Sequence, residues 1–181
     1  IDEAHHTLER VRESLSGTLD GPALREARTE LGKYLGRKHS SYEALGRLIR
    51  HLRELDGEAE ELDGLPEGIV MDAVEVQKRI SALIAEPHGA PLSLLFSVLR
   101  MLLPFLYAAE HQKEEYAVLL EKHGRERTLI LYCLWPGTAI AAATRPMRGT
   151  VFFSATLSPL GAMKELLGGS EDDACFALPS P

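Results

Sequence analysis

The sequence predicts a mostly α-helical chain, in which a helical bundle is inserted in, and followed by, a partial α/β segment with a few parallel strands. Three observations predict it. Apolar residues recur at helical spacing from residue 4 to residue 123. After Gly124 short extended runs alternate with helical ones, the order that yields parallel strands joined through helices. The chain also opens on an apolar residue running into Asp2-Glu3-Ala4-His5, which reads as the carboxyl end of a further strand. The expected division is a strand end over residues 1–6, a helical insertion over 7–124 and an α/β segment over 125–181.

Residues 4–16 read as a helix with Leu8, Val11 and Leu15 on one face. Residues 16–21 read as a turn, and Pro22 suits the first position of a helix that runs to Leu35 and closes at Gly36. Its inward positions are Leu24, Ala27, Leu31 and Leu35. A basic connection, residues 37–41, leads to a helix capped by Ser40 or Ser41, with Glu43 near the favourable end of the dipole. Leu45, Leu48, Ile49 and Leu52 form its apolar stripe. Residues 56–68, acidic and glycine-rich, read as a loop or a short broken helix.

Residues 69–86 carry a wide apolar stripe and predict a well-buried helix, broken by the Pro and Gly residues of 87–91. A long helix is expected over 92–123, apolar nearly all round at first, kinked at Pro104 and amphipathic through Tyr107, His111 and Tyr116. Its aromatic residues suit a core, with base stacking as the other reading. Residues 127–134 read as a strand ended by Trp135-Pro136-Gly137. A helix over 138–144, a strand over 149–153, a helix over 160–167 and a last strand over 174–178 complete the expectation, with the strands parallel.

At 181 residues and 45% hydrophobic, the chain suffices for one core or one and a half domains. No eighteen-residue apolar run is free of charge or proline, and no basic-then-apolar leader opens it, so a cytoplasmic location without membrane association is expected. Cys133 and Cys175 are expected as reduced, buried thiols. His5 and His6 are adjacent on a helix and point about 100° apart, and the remaining histidines lack ligand spacing. No structural metal site follows from this pattern.

A net charge of −7 argues against a free-standing nucleic-acid binder, but its distribution is uneven. Residues 21–53 hold eight Lys and Arg residues against Glu26, Glu30 and Glu43, whereas residues 54–86 hold ten acids against Lys78 and Arg79. Lys33, Arg37, Lys38, Arg47, Arg50 and Arg53 are the candidate contacts to single-stranded DNA, with a solvated helix face as the plainer reading.

Two motifs carry chemistry. In Asp2-Glu3, adjacent carboxylates at a strand end suit metal-assisted phosphoryl chemistry: one organises Mg²⁺ on phosphates and the other orients the attacking water. The plainer reading is an acidic pair at a helix start. In Thr150-Val151-Phe152-Phe153-Ser154-Ala155-Thr156-Leu157-Ser158-Pro159, an apolar extended run delivers two hydroxyls into a proline-stopped turn.

With both motifs in one chain, followed by Leu178-Pro179-Ser180-Pro181, the sequence resembles the XPD/DinG-like group of superfamily 2 DNA helicases. The resemblance implies an ATP-dependent DNA helicase, an ATP hydrolase acting in processes such as DNA repair. Residues 7–124 would be its helical Arch domain, and 125–181 part of its first RecA-like motor domain. It further implies Asp2 as the Mg²⁺ organiser, Glu3 as the catalytic carboxylate and His5 as the link between nucleotide and DNA states. Ser154 and Thr156 would be coupling hydroxyls, and Ala155 a small residue in a tight turn. His6 stands where the family usually has asparagine.

ATP and Mg²⁺ are the implied cofactors, and single-stranded DNA is the implied partner. An iron–sulfur cluster, where relatives carry one, lies before the Asp-Glu-Ala-His box and so outside these residues. No Gly-x-x-x-x-Gly-Lys-Ser/Thr loop is present to cradle the phosphates, so the chain reads as a fragment inactive alone in ATP hydrolysis. Two other readings stand beside this one. The first is a helical module that docks a protein partner through its acidic 54–86 face without touching DNA. The second is a small helical regulator in which the box is accidental.

Overall fold

A computed structural model describes residues 1–55, 61–85, 89–111 and 115–178. The chain is mostly helical and carries a small four-stranded antiparallel sheet. It divides into two compact units, one of Ser16–Tyr132 and one that joins Ile1–Leu15 to the chain from Cys133 onward.

The Ser16–Tyr132 unit contains α2 (Gly21–Leu35), α3 (Ser40–Glu54), α4 (Glu67–Ala85) and α5 (Leu92–His111). Its strands are β1 (Gly17–Asp20), β2 (Glu61–Leu62), β3 (Tyr116–His123) and β4 (Glu126–Cys133), in the order β1-β4-β3-β2. The core is built from the stripes that periodicity identifies. Leu24 and Leu31 of α2, Leu45, Leu48 and Leu52 of α3, and Ile69, Val76 and Ile80 of α4 meet Leu95, Leu102 and Phe105 of α5. Leu19 of β1 and Leu129 and Leu131 of β4 close it from the sheet.

The helix ends follow from local chemistry. The Asp20 carboxylate accepts from the Ala23 amide at 2.9 Å and caps α2, with Pro22 in the first turn and Gly36 closing the helix at φ +81°. His39, rather than Ser40 or Ser41, caps α3: its Nδ1 accepts from the Ser41 amide at 3.2 Å. Ser41 is instead buried.

Four expectations for this unit are corrected. The helix predicted over 92–123 ends at His111, and Tyr116–His123 is a strand. A two-residue connection, Gly124-Arg125 with Gly124 at φ +63°, links it to β4, and so short a link joins antiparallel neighbours. The predicted turn at 16–21 contains β1, whose Gly17 to Asp20 pair antiparallel with Leu131 to Thr128. Gly17 is required there, because a Cβ would lie 2.4 Å from the Phe105 Cα. The strand predicted over 127–134 thus forms as β4, but in an antiparallel sheet with the helices. Of the predicted loop at 56–68, residues 56–60 lie outside the described residues; Glu61–Leu62 pair with β3, and α4 begins at Glu67.

In the other unit, α1 (Ala4–Leu15), α6 (Gly137–Thr144) and α7 (Leu160–Leu166) surround a small core of Ala4, Leu8, Ile140 and Leu167. The strands expected at 149–153 and 174–178 are not formed, and no parallel sheet is present among the described residues. Among the described residues, the backbone of 151–153 bonds to the chain start. The Ile1 amine donates to the Val151 carbonyl at 2.6 Å, and the Phe153 amide donates to the Ile1 carbonyl at 3.1 Å. This is the spacing of a single parallel bridge with Ile1 opposite Phe152. A ladder needs further partners, and none of the described residues supplies them; Val151 is left 72% exposed.

Cys133 is buried as expected, whereas Cys175 is exposed because no strand forms around it to cover it. By length and composition α5 is apolar enough to cross a membrane, and five of its residues are buried in the core of its unit. Pro104 lies inside α5, and the helix continues through it.

Candidate functional site

The two sequence motifs meet. Ala4 and Leu8 anchor α1 in the small core, which fixes the chain start beside residues 151–154, and the Ala4 amide donates to the Phe153 carbonyl at 3.2 Å. Glu3 takes φ +49°, a left-handed conformation uncommon for a residue with a Cβ. This bend turns the extended start into α1. It sets Glu3 and His5 on the side of Ser154.

The contacts are specific. His5 Nδ1 lies 2.7 Å from Ser154 Oγ and 3.2 Å from Glu3 Oε2. The Ser154 hydroxyl donates to Glu3 Oε2 at 3.3 Å and accepts from the Thr156 amide at 3.3 Å, with Thr156 Oγ1 also 3.3 Å away. With the Ser154 hydroxyl donating to Glu3, an Nδ1–H tautomer of His5 would donate to Ser154 Oγ, whereas an Nε2–H tautomer would accept from that hydroxyl. Ala155 and Thr156 lie in the exposed turn that follows.

This geometry is not that of a nucleophilic serine site. A Ser-His-acid relay needs the serine on one ring nitrogen and the acid on the other. Here both meet Nδ1.

Asp2 and Glu3 are both exposed. Asp2 Oδ1 accepts from the Glu3 amide at 2.7 Å, and Glu3 meets His5 and Ser154 through Oε2. Among the described residues no three His, Cys, Asp or Glu side chains are grouped to hold a metal. One or two carboxylates are nevertheless the usual protein share around Mg²⁺ on a nucleotide, where phosphates and waters supply the rest. The donor set at Asp2 and Glu3 fits that role rather than an all-protein cage. His6 turns away from this cluster, with its Nδ1 3.5 Å from Glu9 Oε2, although the two imidazole rings lie 4.0 Å apart.

Neither the protein-family models nor the curated proteins compared with this chain give a match.

The six basic candidates are not brought together as one free surface. Lys33 is paired with Glu30, and Arg47 lies 3.9 Å from Asp72, whose carboxylate also meets His51 at 2.8 Å. Arg53 makes a two-pronged bond to Glu126, which also holds Arg25 at 3.2 Å. The Arg53 guanidinium donating to Glu126 holds its carboxyl below the ordinary carboxylate range. Arg37, Lys38 and Arg50 are exposed and have no carboxylate partner among the described residues. Asp72 and Glu126 were not legible as counterions: Glu126 lies 73 residues from Arg53, and only the packing of β4 against the helices joins them.

Proposed function

We propose that this chain is part of the motor of an ATP-dependent DNA helicase of the XPD/DinG-like kind. The Arch-type insertion, expected over 7–124, would correspond to the helical Ser16–Tyr132 unit, and the unit built on Ile1–Leu15 to part of a RecA-like motor domain. The observation that carries this reading is the bonded set Glu3, His5 and Ser154, in which a carboxylate motif and a hydroxyl motif 149 residues apart share one hydrogen-bond network. A motor needs such a link, because a change at the nucleotide must be felt where the DNA strand is held.

In this reading Mg²⁺, when bound with ATP, neutralises charge developing on the phosphates. Asp2 presents the carboxylate that holds it, and Glu3 orients the attacking water. His5 passes the state of Glu3 to Ser154, and Ser154 with Thr156 carries it into the following turn. Arg37, Lys38 and Arg50 are the basic residues left available to a single strand. The phosphate-binding loop would be supplied by residues outside this sequence.

The test is made in the polypeptide that joins this chain to its phosphate-binding loop. Glu3→Gln is expected to lower DNA-stimulated ATP hydrolysis by at least about 100-fold. Ser154→Ala is expected to retain most hydrolysis while losing strand separation. Full hydrolysis in the Glu3 variant would remove the reading, and equal loss of both activities in the Ser154 variant would remove the coupling role.

A second reading, docking of a basic protein through the acidic side, rests on Glu61, Asp63 and Glu67, which are exposed without a counterion among the described residues. It would be favoured if reversing these three acids released a bound partner while DNA binding stayed unchanged.

A further inference from the structure

The outward face of α5 is apolar where a solvated helix is normally charged. Leu92, Phe96, Leu103 and Tyr107 are 51%, 53%, 49% and 46% exposed. At 3.6 residues per turn they fall within about 60° of arc and span about 22 Å along the axis. Four large apolar side chains in one line on one helix mark an interaction surface rather than scattered exposure.

Two polar features interrupt the stripe near its middle. Arg100 is exposed, and no carboxylate among the described residues pairs with it. Four residues on, Pro104 is exposed on the same helix and brings no N–H, so the Arg100 carbonyl lacks its usual in-helix donor.

We propose that this face docks an amphipathic helix of a partner protein, which lays its own apolar stripe along Leu92 to Tyr107 and sets a carboxylate on Arg100. The inference is independent of the helicase reading. Charge selects the occupant. A guanidinium covered by an apolar surface without a countercharge is strongly disfavoured, so a partner lacking the acid is rejected and one carrying it is both accepted and aligned.

The same residue argues against a second copy. The stripe is centred between Leu99 and Arg100, so an antiparallel two-fold pairing sets Arg100 beside the Arg100 of the copy, and a parallel one opposes them directly. A lipid surface is disfavoured on two counts. It has no donor for the Arg100 carbonyl, and Leu95, Val98, Leu102, Phe105 and Ala108 on the inner side of α5 are held in the core.

The test uses the 181-residue chain and two synthetic helical peptides of about 20 residues, each with leucines at the spacing of the α5 stripe. One carries a central glutamate and the other a central lysine. Fluorescence anisotropy is expected to give saturable binding of the glutamate peptide and binding at least about tenfold weaker for the lysine peptide. Arg100→Glu is expected to invert that order. Phe96→Glu and Leu103→Glu are expected to abolish binding of either peptide while leaving the circular dichroism spectrum unchanged. Equal binding of the two peptides, or binding of neither, overturns the proposal. So does concentration-dependent dimerisation, or partition onto phosphatidylglycerol vesicles, that Phe96→Glu removes, since either names a different occupant.

Discussion

His5 Nδ1 lies 2.7 Å from Ser154 Oγ, although 149 residues separate the two in the chain. The same nitrogen is 3.2 Å from Glu3 Oε2, and the Ser154 hydroxyl itself donates to that oxygen. All three contacts are satisfied together when His5 carries its proton on Nδ1. Long-range nitrogen–proton NMR correlation of the imidazole should therefore report the Nδ1–H tautomer in the wild-type chain. Ser154→Ala should remove one of the two acceptors and lower stability by about 1 kcal/mol, read by urea unfolding. An Nε2–H tautomer in the wild type would mean that the serine, not the histidine, donates across this contact.

Glu126 holds Arg53 and Arg25 with its side chain 14% exposed, so it ties α2 and α3 to β4. Its carboxyl is held below the ordinary range by the Arg53 hydrogen bond. A carboxyl depressed in the folded state stabilises fully above its unfolded value of about 4.3, and the contribution disappears as pH falls through the lower folded value. Glu126→Gln is expected to cost about 1–3 kcal/mol at pH 7 and to make the loss of stability below pH 4 shallower. Urea titrations at pH 7, 4 and 3 measure both effects.

Neighbouring leucines on α5 face opposite ways. Leu102 is fully buried and Leu103 is 49% exposed. Leu102→Ala is expected to cost about 2–5 kcal/mol, and Leu103→Ala within about 0.5 kcal/mol of zero. Equal costs would mean that α5 is rotated from its described setting.

A cavity is not the only way to disturb this packing. Gly17 lets β1 approach the backbone of α5 so closely that an added methyl would lie 2.4 Å from the Phe105 Cα. Gly17→Ala must move the strand or the helix and is expected to cost about 1–3 kcal/mol, measured as a fall in the unfolding midpoint.

The helices were legible because each carries its own record of the core. Leu24 and Leu31, or Leu45, Leu48 and Leu52, recur at helical spacing and are buried on that face. The strands were less legible because a strand is settled by its neighbour. Tyr116–His123 has an apolar run that continues the pattern of α5, and only the short Gly124-Arg125 link betrays a hairpin. Residues 149–153 have strand composition but find no strand partner among the described residues beyond the chain start, so no ladder forms. At the site, the resemblance carried by the two motifs pointed to Glu3, His5, Ser154 and Thr156, and these four side chains share one hydrogen-bond network. The DNA candidates could not be ranked the same way, because their counterions come from distant segments.

That ranking yields a prediction for the basic helices. Affinity for a single strand rests on cations free to replace counterions at phosphates, so a residue already held by a carboxylate contributes little to it. Lys33, Arg47 and Arg53 are so held, whereas Arg37, Lys38 and Arg50 have no such partner among the described residues. Anisotropy of a labelled single-stranded oligonucleotide titrated with the 181-residue chain is expected to show binding that weakens with salt. Reversing Arg37, Lys38 and Arg50 together should reduce the slope of log affinity against log salt by about 2, the share of three phosphate contacts. Arg53→Glu should leave that slope nearly unchanged and act on stability, because it sets two carboxylates together at Glu126. A slope insensitive to the triple reversal, or lost on changing Arg53 alone without unfolding, would move the DNA path off these residues.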